Sequence, residues 1–388
     1  MKILFVTGEF PPMEGGVGDY TREIALALAE QGCQVDVLTS IHAQPVAGLG
    51  VLPLVERWGW GSWRTLLETI HQTAPDVVHI QYQAAAYAMH PAINFFPRRL
   101  RLGASRPVTA VTFHDLKVPY LFPKAGPLRP WVIKELARSS DLAVTTNRED
   151  FERLGQDLGK PPAFIPIGSN IRCSPPEGYE RDAWRARWGV RPGDLLLCFF
   201  GFVNGRKGVD TLLHALEQLV TQEDGPAKTT LLMIGGQTGA SDPTNVAYLA
   251  KMQALIADLH LEDRVQWTGY VPAEEVSANF LAGDLCVLPF RDGVSLLHGT
   301  LHAALAHGVP IVTTQPRVAL PEFTHGENVY LVPRQDPQAL AMVIRRLARD
   351  PARRQVLAEG AKRLSEEFRW ERIAAETLAL YRGAGVGA

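Results

Sequence analysis

The sequence lacks a long apolar run. Its first apolar stretch, Ile3 to Val6, is four residues long and follows one lysine, shorter than the core of a secretory signal. No segment approaches the roughly 20 apolar residues that cross a bilayer. An excess of basic charge is also missing: 39 Lys and Arg stand against 41 Asp and Glu, a formal net charge of −2, which argues against a nucleic-acid partner. Cysteine is scarce. Cys33, Cys173, Cys198 and Cys286 lie far apart and form no CxxC pair. Cys198 and Cys286 sit in the apolar runs LLLCFF and LCVLPF, so buried thiols are expected rather than disulfides or zinc ligands. These absences predict a soluble protein of a reducing cytoplasm, attached to the inner membrane face at most peripherally.

What the sequence does contain is apolar residues in quantity, 46% of 388. That is more than one core usually absorbs, so two domains are expected. Short β-branched runs alternate with helical patterns. KILFVTG reads as a strand, DYTREIALALAEQG as a helix stopped by Gly32, and QVDVLTS as a second strand; DVVHIQ, VTAVTFH and LAVTTN continue the series. Strands that are nearly continuous apolar runs belong to a parallel sheet covered on both faces. The rhythm breaks between Pro161 and Gly193, a Pro- and Gly-rich linker candidate. It restarts with LLLCFFGF, a helix from Val209 to about Val220, TTLLMIGG, a helix around Leu249 to Leu259, RVQWTGY, DLCVLPF, a helix from about Thr300, and VPIVTT, and it ends in an almost wholly helical stretch. The fold class is α/β, with two Rossmann-like parallel sheets in tandem. Ligands of such sheets bind at the C-terminal edges of the strands, so an interdomain cleft is the expected site.

Three segments carry candidate chemistry. After the first strand, GEFPPMEGGVGDY places Gly15, Gly16 and Gly18 before a helix, where bare amides and the helix N-terminus suit an anion. A dinucleotide fingerprint would need a glycine at position 21, which is Thr, and an acidic residue ending the second strand, which closes Leu38-Thr39-Ser40. A nicotinamide cofactor is therefore disfavoured, and a ligand-free turn stays open. In the second half, FFGFVNGRKGVD sets Arg206 and Lys207 between a sheet edge and a helix; a lysine there is a point-charge partner for a diphosphate, or else half of a solvated basic pair. PFRDGVSLLHGTLHAALAHG then starts a helix near Gly299 and Thr300, a second free N-terminus. His298 and His302 have metal-ligand spacing, but no carboxylate or cysteine completes a set, so no metal is expected.

These segments, with DVVHIQ, TFHD, PIGSN, KGVDTLLHAL, LLMIGG, RVQWTGYVP, AGDLCVLPF, ALAHGVPIVTT and FRWERIAAETLALY, occur in an order that resembles glycosyltransferase family 4, retaining enzymes of the GT-B fold, over more than 300 positions. The resemblance implies an acceptor-side domain of residues 1–170 plus 371–388 and a nucleotide-sugar domain of residues 171–370, with the last helix, around Trp370 to Tyr381, crossing back. It implies a nucleotide-diphosphate sugar as donor, a hydroxyl acceptor, no cofactor and no metal; the chain has no Asp-x-Asp pair. Gly15 and Gly16 would lie against the donor diphosphate, with Gly18 in the same loop. Lys207 would neutralise the diphosphate, the amides of Gly299 and Thr300 would hold it, and His114 would sit beside the transferred sugar. Gly235-Gly236 and the loop of Gly269, Tyr270 and Val271 would frame the base.

The chain departs from that family at three positions. Its Glu-x7-Glu motif is matched by Ser295 and Ala303, and its Arg five residues before the Lys by Phe202. Arg206 is a candidate to restore the charge, and Asp292 to replace the sugar-binding carboxylate, with Ser295 and His298 at the same loop. The expected activity is transfer of a hexose to a glycan, glycolipid or small molecule. A non-catalytic GT-B binding partner and a GT-B sugar-nucleotide epimerase are the alternatives. His79, at a strand end, is read as a satisfied structural histidine, and Asn147 as the cap of a strand. His114 has a plain reading too, packed against Asp115. NFFPRRLRLG and LRPWVIKELARSS mix aromatic and basic residues, a composition shared by interfacial helices and ordinary surface helices. Oligomeric state has no signature.

Overall fold

The computed structural model describes residues 1–13, 15–103, 106–116, 128–222, 228–236 and 243–386. Glu14, inside the first glycine segment, lies outside them. The chain divides into two compact units, one of residues 1–170 with 368–388 and one of residues 171–367.

The first unit is built on strands β1 (Lys2–Thr7), β2 (Gln34–Ser40), β3 (Gly50–Val55), β4 (Val77–Tyr82), β5 (Val108–Phe113), β6 (Leu142–Thr145) and β7 (Ala163–Phe164). They form one sheet in the order β3-β2-β1-β4-β5-β6-β7, every pair parallel. Between them run helices α1 (Gly16–Glu30), α2 (Ser62–Thr73), α3 (Ala92–Leu100), α4 (Leu128–Ser139) and α5 (Arg148–Leu158). β1 shows why its sequence does not alternate in polarity. Ile3 and Phe5 pack in one core with Ile24 and Leu28 of α1, while Leu4 and Val6 pack in the opposite core with Leu66, Phe96 and Leu136. Both faces are buried, and each such side chain contributes about 1.5–3 kcal/mol of burial.

The second unit opens with helix α6 (Arg181–Arg187). The Pro- and Gly-rich segment read as a linker therefore contains a helix. Its anchor is ionic: Arg185, only 4% exposed, donates to Asp284 Oδ2 at 3.0 Å and to the Ala282 and Asp194 carbonyls at 2.8 Å. A buried guanidinium needs such complete pairing. Strands β8 (Leu195–Phe200), β9 (Thr229–Ile234), β10 (Val265–Trp267), β11 (Leu285–Leu288), β12 (Ile311–Thr314) and β13 (Tyr330–Val332) form a parallel sheet in the order β10-β9-β8-β11-β12-β13. Helices α7 (Val209–Thr221), α8 (Pro243–Asp258), α9 (Ala273–Ala282), α10 (Gly299–Ala306), α11 (Pro337–Ala348) and α12 (Pro351–Ser365) complete it. Cys198 and Cys286 are free, fully buried thiols, and burial pushes both up in pKa.

Helix α13 (Trp370–Gly383) belongs to the first unit. Ile373, Leu378 and Tyr381 enter the core that α1 shares with β1. Tyr381 OH lies 2.5 Å from His79 Nδ1, and His79 Nε2 lies 2.8 Å from Thr112 Oγ1. His79 is thus a fully bonded structural residue, and burial lowers its pKa to about 3. Among the described residues, no helix is long and apolar enough to cross a membrane. The aromatic and basic segments fall on α3 and α4, where the rings of Phe95 and Trp131 are 5.7 Å apart.

Candidate functional site

In the second unit, the loop after β8 and the loop after β11 are locked together. Gly208, φ +68°, caps α7, and a Cβ there would meet the Pro289 carbonyl oxygen at 2.0 Å. Only glycine fits both that conformation and that approach. The Arg291 amide donates to the Arg206 carbonyl at 2.9 Å. The Arg291 guanidinium pairs with Asp210 at the start of α7, and Tyr248 OH donates to the other Asp210 oxygen at 3.1 Å.

This clamp fixes Lys207. Its Nζ donates to Thr300 Oγ1 at 3.3 Å and lies 6.0 Å from the Phe290 ring centroid. Gly201 leaves the space: a Cβ there would meet Thr300 Cγ2 at 2.7 Å and Lys207 Nζ at 2.8 Å. No carboxylate pairs with Lys207 among the described residues, and burial lowers its pKa to about 8. A half-buried ammonium with no counter-ion beside it among the described residues is a costly arrangement that favours a bound anion. The amides of Gly299 and Thr300 open α10 beside it, and His298, at the N-cap, supplies no side-chain cap.

His298 stacks on Phe290 with centroids 3.7 Å apart and accepts from the Ser295 amide through Nδ1 at 3.2 Å. Burial and the nearby Lys207 charge lower its pKa to about 3, so the ring is neutral and its proton is on Nε2. His302 turns inward instead, donating from Nε2 to the Leu296 carbonyl at 2.8 Å. Among the described residues, no group of three His, Cys, Asp or Glu is placed to hold a metal ion. Arg206 and Asp292 are exposed, while Ala303 is buried in α10. Ser295 Oγ accepts from the Leu297 amide at 3.3 Å. β11 ends at Leu288 rather than at Pro289-Phe290, so the loop carrying Asp292 begins earlier than its sequence suggests.

β9 and β10 end in glycines that touch. Gly235 and Gly269 form an isolated antiparallel bridge, and the Gly235 amide donates to Thr268 Oγ1 at 3.0 Å. Tyr270 beyond it is exposed and Val271 half-buried.

In the first unit, the glycine loop differs from its expected form. The Gly18 amide, expected to meet a ligand anion, already holds one from the chain: Glu9 Oε1 accepts from Gly18 at 3.3 Å and from its neighbour Val17 at 3.1 Å. A Cβ on Gly15 would meet that oxygen at 2.1 Å, while Gly16 faces open space. Sequence reading assigned Glu9 no role, although an acidic residue directly after β1 and before a glycine loop is a recognisable signal. His114 Nε2 donates to Gln81 Oε1 at 2.9 Å, and the ring meets that of Tyr20 edge-on at 4.7 Å. Because Gln81 Oε1 can only accept, Nε2 carries the proton. Tyr20 continues to Trp370 of α13 at 5.3 Å, and Trp370 Nε1 donates to the Ser169 carbonyl at 2.8 Å. Asn147 caps helix α5, not a strand, accepting from the Asp150 amide at 2.8 Å.

Residues 15–168 match the family described as a glycosyl transferase 4-like domain, and residues 194–350 match glycosyl transferases group 1. The chain belongs to glycosyltransferase family 4. This glycosyltransferase is 25% identical over 257 residues to the D-inositol 3-phosphate glycosyltransferase of Streptomyces bingchenggensis, a match covering 65% of this chain and about half, 54%, of that relative. It is 26% identical over 403 residues to the protein of the same name from Xylanimonas cellulosilytica, covering 95% and 92% of the two chains. Among solved structures, it is similar to sucrose-phosphate synthase from Thermosynechococcus elongatus, with a TM-score of 0.74, 22% identity and full coverage of both chains. It is also similar to Anabaena HepE in complex with UDP and glucose, with a TM-score of 0.73 and 21% identity over 98% of this chain and 100% of that one. The fold is GT-B.

Proposed function

We propose that this glycosyltransferase moves a hexose from a nucleotide-diphosphate sugar to a hydroxyl acceptor with retained anomeric configuration and without a metal. The observation that carries the reading is Lys207, a half-buried ammonium with no counter-ion among the described residues, set beside Thr300 at the open start of α10. A relative's name that specifies inositol 3-phosphate and a similar structure holding UDP are in keeping with a nucleotide-sugar donor and a hydroxyl acceptor.

In this mechanism the C1–O bond to the diphosphate breaks and the acceptor oxygen bonds to C1 on the same face. The acceptor proton passes to a phosphate oxygen, and no covalent enzyme intermediate forms. The negative charge that develops on the diphosphate is met by Lys207 and the Gly299 and Thr300 amides, groups already fixed in place. Arg206 adds charge from solvent. His298 offers its Nε2 proton to the donor. His114, neutral and held by Gln81 and Tyr20, orients the transferred sugar rather than accepting a proton. The shelf of Gly269 and Val271 frames the base, and Asp292 with Ser295 takes the sugar hydroxyls in place of the missing carboxylates.

The test is a donor panel of UDP-, GDP- and ADP-sugars with product configuration read by proton NMR. Turnover with retained configuration supports the reading; tight nucleotide binding with no transfer to any acceptor overturns it. Asp292→Ala should raise donor KM by about ten-fold, the size of one hydrogen bond to a charged group. An unchanged KM removes Asp292 from the site.

A further inference from the structure

The second unit exposes an aromatic ring where an exposed ring is costly. Phe202, directly after β8 and Gly201, is 44% exposed. One edge lies on bare backbone: a Cβ on Gly236 would meet Phe202 Cε1 at 2.9 Å. Gly236 follows Gly235, whose bridge to Gly269 closes the ends of β9 and β10. The ring therefore stands at the rim of a shelf made of peptide groups, with no side chain from Gly235, Gly236 or Gly269 competing for its space.

On the other side, Phe202 adjoins the anion-holding groups through a single residue. A Cβ on Gly201 would touch both Lys207 Nζ and Thr300 Cγ2. A ligand anchored by its phosphates at Lys207 thus has a part-exposed aromatic ring one residue away, and a peptide shelf beyond it. Flat, polarizable groups bind such a face by stacking, whatever their hydrogen-bonding edge.

The geometry points to Phe202 as the stacking platform for the nucleobase of a nucleoside diphosphate whose phosphates sit at Lys207 and α10. This rests on the donor reading above and adds the residue that grips the base. It also gives a chemical sense to a phenylalanine where the resembled family carries arginine: grip is moved from the phosphates to the base.

The experiment is calorimetric titration of wild type, Phe202→Ala and Phe202→Trp with UDP, GDP, ADP and inorganic pyrophosphate. Phe202 is part-exposed, so its replacement should leave the fold intact, which thermal melting checks. Phe202→Ala should weaken the nucleoside diphosphate that wild type binds best by roughly 10- to 100-fold, the range for one base on one ring. Pyrophosphate affinity should stay within about two-fold, and Phe202→Trp should hold nucleotide affinity at or above wild type. Equal losses for nucleotide and pyrophosphate, or no loss for either, overturn the platform and leave the donor reading standing. If wild type binds no nucleotide at all, the donor reading falls and the platform with it.

Discussion

Glu9 Oε1 accepts a hydrogen bond from the Gly18 amide at 3.3 Å, so the N-terminus of α1 is capped by an anion from its own chain. A helix N-terminus stabilises negative charge near it, and Val17 donates to the same oxygen. Burial opposes that charge and raises the Glu9 pKa above its ordinary 4.5, with Asp19 adding to the shift. Removal of the carboxyl in Glu9→Ala should cost about 1 kcal/mol, as for other helix caps. The raised pKa fixes the sign of the pH effect. Glu9 contributes most below its ordinary pKa and loses that contribution as pH rises through its raised value. Relative to Glu9→Gln, the wild type should therefore be most stable near pH 4 and lose ground toward pH 6, as read by urea denaturation at each pH.

Lys207 should show the opposite trade between stability and function. Its pKa, lowered to about 8, means that the folded protein resists holding the charge. A depressed pKa contributes stability present above the ordinary value near 10.5 and lost as pH falls through about 8. Lys207→Met should therefore stabilise the protein at pH 7, by on the order of 1–3 kcal/mol, and the gain should fade toward pH 10. Turnover should fall roughly 10²–10³-fold. Pyrophosphate binding to the wild type should weaken above pH 8, as the ammonium loses its proton. Thermal melts across pH and initial rates check both halves.

Gly208 is the hinge pin of the clamp that holds Lys207. Gly208→Ala forces an alanine to φ +68° and drives its Cβ to 2.0 Å from the Pro289 oxygen. Left-handed strain alone costs about 1–3 kcal/mol, and the backbone overlap must also be relieved by parting the two loops. The expected result is a lowered melting temperature and weakened pyrophosphate binding together. Gly16→Ala, with no atom near its Cβ site, is the control and should leave stability within about 1 kcal/mol.

The sequence displays those parts of the molecule whose signals are local. β1, β2 and α1 fall where apolar runs, glycine and periodicity put them, because parallel strands buried on both faces have little freedom to read otherwise. β3 (GVLPLV) and β13 (YLV) are edge strands, one interrupted by Pro53 and one only three residues long, and neither looks like a strand in isolation. α6 is hidden because its anchor, Arg185 on Asp284, spans about a hundred residues. In the site, Lys207 and the α10 start are legible from residue type and spacing. The clamp of Asp210 on Arg291 and the occupation of the glycine loop by Glu9 are not, since both depend on which loops the sheets bring together.

His114 tests whether proton transfer involves a histidine. It is half-buried and neutral, its pKa lowered to about 3, with Nε2 committed to Gln81 Oε1. A general base would need a pKa near the working pH. The rate should therefore carry no ionisation limb from this ring between pH 5 and 7.5, consistent with the phosphate oxygen taking the proton. Gln81→Glu places a carboxylate at the same contact. An opposite charge at hydrogen-bond distance favours the imidazolium and lifts its pKa, so this variant alone should gain an acidic-side limb in kcat. His114→Asn should retain part of the activity, because a short polar side chain can still hold a sugar hydroxyl, whereas His114→Ala should not. A wild-type limb near pH 6.5 that disappears in His114→Asn would instead make the ring a proton acceptor, and the leaving phosphate would lose that role.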